Sequence, residues 1–123
     1  MDLLFVADPI ESFKTYKDSS FAMMREAARR GHRLHVCEPT DLVWVRGSRV
    51  VARNARTLIL TGREQADWYE VVATQELALA DVDAVLMRKD PPFDSEYFYA
   101  THLLGQAERE GAKVFNKPAA LRD

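Results

Sequence analysis

Three consecutive charged residues, Arg88, Lys89 and Asp90, have side chains suited to binding a small charged molecule. The guanidinium group of Arg88 presents a planar fork of donors that matches a carboxylate at two points. Asp90 can accept from an ammonium group or orient Arg88. A structural role is the alternative, in which the loop is solvated or an Arg–Asp pair holds it against a neighbour. Arg88 and Asp90 are therefore candidate substrate-binding residues.

The position of this charged segment supports a ligand role. An apolar run over residues 84–87 predicts a buried strand directly before it, and a helical pattern begins near Asp94. Ligands of open α/β sheets bind in the crevice outside the carboxyl ends of the strands. Pro91 and Pro92 fix φ and remove two backbone donors, so the loop between strand and helix has a defined shape.

Further candidates lie where the same crevice is expected. Asp8 follows the first predicted strand and faces the crevice. Lys17 and Ser19 flank the predicted start of a helix, headed by Asp18 or Ser19, whose free N–H groups can bind an anion. Helix capping is the favoured role of Asp18. Tyr99 lies in a run of three aromatic residues on the last helix, at least one of which must point outward. Tyr99 is a candidate for the crevice or for a subunit contact.

Other kinds of site have no support in the sequence. No Walker-type glycine loop and no G-x-G-x-x-G motif follows the first strand, which argues against a P-loop or dinucleotide site. His32, His35 and His102 are not spaced as a metal site with one another or with Cys37. His35 is predicted on a strand surface and His102 on the exposed side of its helix. No catalytic, cofactor-binding or metal-binding residue is assigned to this chain.

Length and composition predict one ordinary globular domain. The chain has 123 residues, of which 47% are hydrophobic, enough to bury a core. Its formal net charge of −2 gives no general attraction to nucleic acid or to a membrane surface. Cys37 is the only cysteine, and the apolar N-terminus lacks a basic region and breaks at Asp8-Pro9, so we expect a cytoplasmic protein without a signal peptide.

Hydrophobic periodicity predicts the elements that must position these residues. A continuous apolar run over residues 3–7 suits a central parallel strand covered on both faces. Two segments share the order helix end, glycine, strand, and pass through Gly31 and Gly111. They imply at least two parallel βαβ-like units. The last helix is expected over residues 95–110, with Asp94 as its N-cap.

The middle of the chain predicts an antiparallel insert. Residues 41–53 are typical of two strands around a tight turn at Gly47, and residues 57–61 extend the β character. Residues 68–72 fit a strand or a helix, and residues 77–80 suggest a short connector. The fold class is therefore α/β: a small, mainly parallel sheet with helices on both faces and an antiparallel hairpin insert at one edge.

The charged loop also resembles a known family. Prokaryotic glutathione synthetases carry this kind of Arg-Lys-Asp-Pro-Pro-Phe-Asp segment, here residues 88–94, in their N-terminal domain. Further segments resemble that domain in order and spacing, so the resemblance covers essentially the whole chain; they are residues 5–10, 17–24, 75–81, 99–101, 116–118 and 121–123. No single segment is a strong motif, but the ordered set is specific.

The resemblance implies a Rossmann-like, pre-ATP-grasp domain over residues 1–123, with the ATP-grasp region outside this chain. It implies part of a ligase that joins γ-glutamylcysteine to glycine through an acyl phosphate, with ATP and Mg²⁺ bound mainly outside this chain. The chain alone is expected to be inactive and to hold part of the crevice for γ-glutamylcysteine or glutathione. It is also expected to contact its own ATP-grasp region and to form a homo-oligomer.

Two other functions fit the same sequence. One is the N-terminal domain of a different ATP-grasp carboxylate–amine ligase, because both halves of such an enzyme set its substrate choice. The other is a non-catalytic binding or oligomerisation module. Large apolar side chains at Val43, Trp44 and Val45 on a two-stranded element predict self-association through the hairpin, with the last helix as the alternative surface.

Overall fold

The structure is a computed structural model that describes residues 1–13, 19–45, 49–63, 67–89 and 94–116. Within these ranges it contains two α-helices and one seven-stranded sheet, which confirms the predicted α/β class. The helices are Ser19–Arg29 (α1) and Ser95–Arg109 (α2), and the strands are Asp2–Ala7 (β1), Arg33–Cys37 (β2), Leu42–Trp44 (β3), Val50–Leu60 (β4), Tyr69–Ala78 (β5), Ala84–Arg88 (β6) and Val114–Asn116 (β7).

Strand β1 lies at the centre of the parallel part of the sheet. It pairs in parallel with β2 on one side and with β6 on the other, and β6 pairs in parallel with β7. The predicted βαβ units are therefore β1-α1-β2 and β6-α2-β7. The central position of β1 explains its continuous apolar run, because both of its faces are covered.

Alternate residues of β1 pack against different helices. Leu4 and Val6 share a core with residues of α2, including Leu104, whereas Phe5 shares a second core with Met24 of α1. The helices thus cover opposite faces of the sheet, as predicted. Fully burying one such side chain stabilises the fold by about 1.5–3 kcal/mol. Packing on both faces fixes the positions at which the parallel strands end.

The turns that return each helix to the sheet follow the sequence prediction. Gly31 and Gly111 have φ of 84° and 105°, a region that L-residues with a side chain rarely adopt. A Cβ atom at either position would meet nothing within 4 Å, so backbone conformation rather than space requires glycine there. At the other end of α2, the Asp94 carboxylate accepts from the backbone N–H of Tyr97 at 3.0 Å and caps the helix.

The antiparallel insert is built on β4. This strand pairs with β2 and β3 along one side and with β5 along the other. The sequence assigned β character to residues 41–53 and again to residues 57–61, and β4 runs without interruption from Val50 to Leu60. The polar residues Arg53 and Asn54 lie at a register shift between β4 and β5, so a bulge accommodates them without ending the strand. The predicted turn at Gly47 lies outside the described residues.

Strand β5 resolves the ambiguous segment after residue 68. Tyr69–Ala78 is a single strand, and only Leu79–Asp81 forms the short turn that was predicted over residues 77–80. Trp68 anchors the start of β5, because its side chain is buried and its ring lies 5.1 Å from that of Phe21 on α1. Among the described strands, β5 is an outer one that pairs with β4 alone.

His35 is buried, which corrects the prediction of a strand-surface residue. Its Nε2–H donates to the Asp2 carboxylate at 2.8 Å, and its Nδ1 lies 2.9 Å from Thr57 Oγ1. Polar partners on the two neighbouring strands satisfy both ring nitrogens, so the side chain tolerates burial in an apolar sheet. His102 is exposed on α2, as predicted. Neither described helix is both long and apolar enough to cross a membrane.

Candidate functional site

The candidate residues meet at the carboxyl edge of the parallel strands. Ala7 of β1 is in register with Arg88 of β6, so the residues that follow each strand leave the sheet side by side. Helix α1 begins at this edge and places Ser20 in its first turn. The structure therefore brings together the ends of β1 and β6 and the start of α1, where the sequence predicted a crevice.

Arg88 is held against helix α1. Its Nε–H donates to Ser20 Oγ at 3.1 Å, and the two residues are only 8% and 5% exposed. A guanidinium group buried to this degree is stabilised only where neighbouring groups satisfy it, and it keeps little rotamer freedom. The donor fork of Arg88 is therefore largely pre-oriented at the edge of the sheet.

Lys89 and Asp8 form an ion pair beside Arg88. Lys89 Nζ lies 3.0 Å from Asp8 Oδ1, and the two side chains are 18% and 26% exposed. Two of the sequence candidates, Arg88 and Asp8, thus lie at the ends of adjoining strands, and Lys89, which follows Arg88, pairs with Asp8. The Lys89–Asp8 pair gives the charged segment a structural contact. The alternative of an Arg88–Asp90 pair involves a residue outside the described ranges and stays a prediction. A ligand ammonium group that approached Asp8 would compete with Lys89.

Carboxylates also line the neighbouring end of β2. Glu38 follows this strand, and burial raises the pKa of its carboxyl group, with the negative charges of Asp41, Glu11 and Asp8 adding to the effect. Arg56 opposes this rise and forms a 2.9 Å ion pair with Glu11. The carboxyl edge is consequently bipolar, with cations at the end of β6 and carboxylates at the ends of β1 and β2. Such an arrangement suits a ligand that carries both a carboxylate and an ammonium group.

The remaining sequence candidates are Lys17, Ser19, Asp90 and Tyr99. Lys17 and Asp90 lie outside the described residues. Ser19 is the first residue of α1, next to Ser20. Tyr99 is 64% exposed on α2, whose buried residues include its neighbour Ala100, so Tyr99 points away from the core. Both of its predicted roles, in the crevice and in a subunit contact, stay predictions.

Sequence reasoning missed Ser20 and Glu38. The candidates at the start of α1 were Lys17 and Ser19, and the contact between Ser20 and Arg88 depends on how α1 is rotated over the sheet. A serine in the first turn of a helix that starts at the ligand edge was the available signal. Glu38 could have been found from its place directly after β2, by the same rule that identified Asp8. Among the described residues, no three His, Cys, Asp or Glu side chains gather in a group that could hold a metal ion.

Matches to known proteins extend along essentially the whole chain. A sequence model described as "Prokaryotic glutathione synthetase, N-terminal domain" matches residues 1–122. The glutathione synthetase of Ralstonia nicotianae is 54% identical over 123 residues, which is all of this chain and 37% of that protein. Those of Nitrosomonas europaea and Escherichia coli O127:H6 are 51% and 50% identical, over 100% and 96% of this chain. The chain spans 38% and 36% of these two relatives, little more than a third of their length.

Proposed function

This chain belongs to the family of prokaryotic glutathione synthetase N-terminal domains, and on that premise we propose that it is the substrate-side domain of an ATP-dependent ligase. The ligase would join γ-glutamylcysteine and glycine to give glutathione. The observation that carries the proposal is the bipolar edge, where buried Arg88 lies beside the Lys89–Asp8 pair. γ-Glutamylcysteine carries carboxylates and an ammonium group, so it matches both signs of charge.

Each charged group has a proposed part in binding the dipeptide. Arg88 receives a carboxylate of γ-glutamylcysteine, and its buried, pre-oriented guanidinium limits the entropy lost on binding. Asp8 accepts from the ligand ammonium group, with Lys89 released to bind a second carboxylate or kept as a neutralising partner. Glu38 adds a carboxyl group close enough to Asp8 for their charges to interact. Asp90, Lys17, Ser19 and Tyr99 remain candidates for further contacts.

The chemical step is assigned to the other part of the ligase. ATP and Mg²⁺, bound mainly by an ATP-grasp region outside this chain, would activate the cysteinyl carboxylate as an acyl phosphate for attack by the glycine amine. The residues described here bind and orient the dipeptide so that its carboxylate meets that region. Orientation of this kind can contribute a large share of a rate enhancement, because the reactants are already aligned. The partners proposed are the ligase's own ATP-grasp region and further copies of the chain, in the cytoplasm.

The function is tested by assaying the ligase that carries this domain. With ATP, Mg²⁺, γ-glutamylcysteine and glycine it should form glutathione, ADP and phosphate, whereas D-alanine should not replace the dipeptide and glycine. The isolated chain of 123 residues, given the same mixture, should form no glutathione above a blank. Ligation of D-alanine in preference to γ-glutamylcysteine would assign the domain to another ATP-grasp ligase. Turnover by the isolated chain would contradict the division of labour between the two parts.

A further inference from the structure

We propose that Ser20 is a positioning residue that fixes the guanidinium group of Arg88 and thereby sets how tightly the crevice holds a ligand carboxylate. The inference deepens the proposed function and rests on it, because it takes Arg88 as the group that receives the dipeptide. Ser20 acts through Arg88 and is not assigned any contact with the reacting atoms.

The contact joins two elements that are distant in the sequence. Ser20 lies in the first turn of α1 and Arg88 at the end of β6, 68 residues apart, and the bond between Arg88 Nε and Ser20 Oγ is buried. A neutral hydroxyl that accepts from a charged donor forms one of the stronger hydrogen bonds in proteins. Away from water, the bond strongly favours one orientation of the arginine head.

Helix α1 holds the serine hydroxyl in place. Phe21 and Met24, on the same helix, are 4% and 0% exposed and belong to the core between α1 and the sheet. Phe21 packs edge-on against Trp68, with the ring centroids 5.1 Å apart. These contacts anchor the first turn of α1, so Ser20 Oγ is a fixed acceptor. Arg88 is correspondingly oriented by the body of the fold.

The geometry also determines how the arginine can present its donors. A guanidinium group can bind a carboxylate through Nε and one Nη or through its two Nη atoms. Because Nε donates to Ser20, a carboxylate that used the Nε edge would have to displace the serine. Binding through the Nη atoms keeps the Ser20 bond. Ser20 therefore selects the direction from which the carboxylate is received as well as stabilising the side chain.

A double-mutant cycle in the full-length ligase tests this role. The dissociation constant for γ-glutamylcysteine is measured by calorimetry for the parent, Ser20→Ala, Arg88→Met and the double variant. Loss of the orienting bond should raise the dissociation constant about threefold to tenfold in Ser20→Ala. This is less than the loss expected for Arg88→Met, because the guanidinium group itself remains. In the Arg88→Met background, Ser20→Ala should cause no further change, because the group that it positions is gone.

Thr101→Ala serves as the matched control, since it also removes a helix hydroxyl, one that donates to the Phe98 carbonyl at 2.7 Å. Its dissociation constant should equal that of the parent.

The proposal is overturned if Ser20→Ala has the same effect in both backgrounds, or if it lowers only the melting temperature and leaves affinity unchanged. If Arg88→Met itself leaves affinity unchanged, the assignment of Arg88 fails and the role of Ser20 falls with it. If only the role proposed for Ser20 is wrong, Arg88→Met still lowers affinity. The failure of the Ser20 role and the failure of the Arg88 role are therefore distinguishable.

Discussion

Arg88 combines two properties at the scale of a single residue, since it is charged and almost fully buried. Arg88→Met keeps the apolar stem and removes the donor fork. We expect the affinity of the ligase for γ-glutamylcysteine to fall by about 1.5–3 kcal/mol, the usual range for a hydrogen bond to a charged group. Calorimetric titration of the purified variant with the dipeptide measures this change. Because the substitution also removes the hydrogen bond from Arg88 to Ser20 Oγ, the melting temperature should be recorded alongside.

Lys89→Met separates recognition by Arg88 from a general effect of charge. It also removes one cation from the edge, but one already paired with Asp8 and partly exposed, for which the energetic effect is smaller. Its loss of affinity should be clearly less than that of Arg88→Met. Equal losses in the two variants would mean that the edge attracts the ligand only through its net charge.

The sequence located part of this site for a physical reason. Arg88 and Asp8 were found because any residue directly after a parallel strand must lie at the ligand edge. Ser20 was not found, because its contact with Arg88 depends on how α1 is rotated over the sheet. His35 was misplaced because a pattern within one strand carries no information about Asp2 and Thr57 on the neighbouring strands.

At the scale of elements, the hydrogen bonds of His35 hold neighbouring strands together. Asp2, His35 and Thr57 link β1, β2 and β4, and the backbone N–H of Asp2 donates to Asp83 at 2.7 Å, just before β6. The hydrogen bond from His35 is the main cause that holds the pKa of Asp2 below its ordinary value of 3.8. A carboxyl group with a lowered pKa stabilises the folded state above the unfolded pKa, and this contribution is lost as the pH falls through the folded pKa.

Asp2→Asn should therefore destabilise the chain at neutral pH and matter progressively less below pH 3.8. Urea unfolding of the parent and variant at pH 7 and near pH 3 gives the two differences in free energy of unfolding. Asp81→Asn is the control, because Asp81 is exposed and pairs only with the exposed Arg49 among described ion pairs. A difference between parent and Asp2→Asn that stays constant with pH would show that the Asp2 charge has no part in joining the strands.

Elements were predicted best where the pattern was long and the end signals clear. The Asp94 cap and the Gly111 turn placed α2 within a residue of its observed bounds, Ser95–Arg109. The continuity of β4 could not be predicted, because the bulge that accommodates Arg53 and Asn54 depends on pairing with β5. Long-range pairing decided the structure in the antiparallel insert, whereas local signals sufficed in the βαβ units.

At the scale of the whole molecule, several large apolar side chains are exposed on the antiparallel part of the sheet. Trp44 is 53% exposed on β3, Ile59 is 55% exposed on β4, and Val72 is 52% exposed on β5. Exposed apolar groups beside an outer strand favour association with another chain, because both the side chains and the strand edge gain partners. We expect self-association of the chain through β5 and its neighbour β4, the antiparallel insert.

Val72→Lys places a charge on the outer strand and should reduce the mass measured by light scattering at high protein concentration to that of a monomer. Tyr99→Lys tests the alternative surface on α2, where Tyr99 is 64% exposed, and should leave the mass unchanged. Both substitutions are at exposed positions, so neither should disturb folding by much. A monomeric parent would contradict self-association. An effect confined to Tyr99→Lys would move the interface to α2, the helix that begins beside the charged loop, and would place the subunit contact next to the crevice.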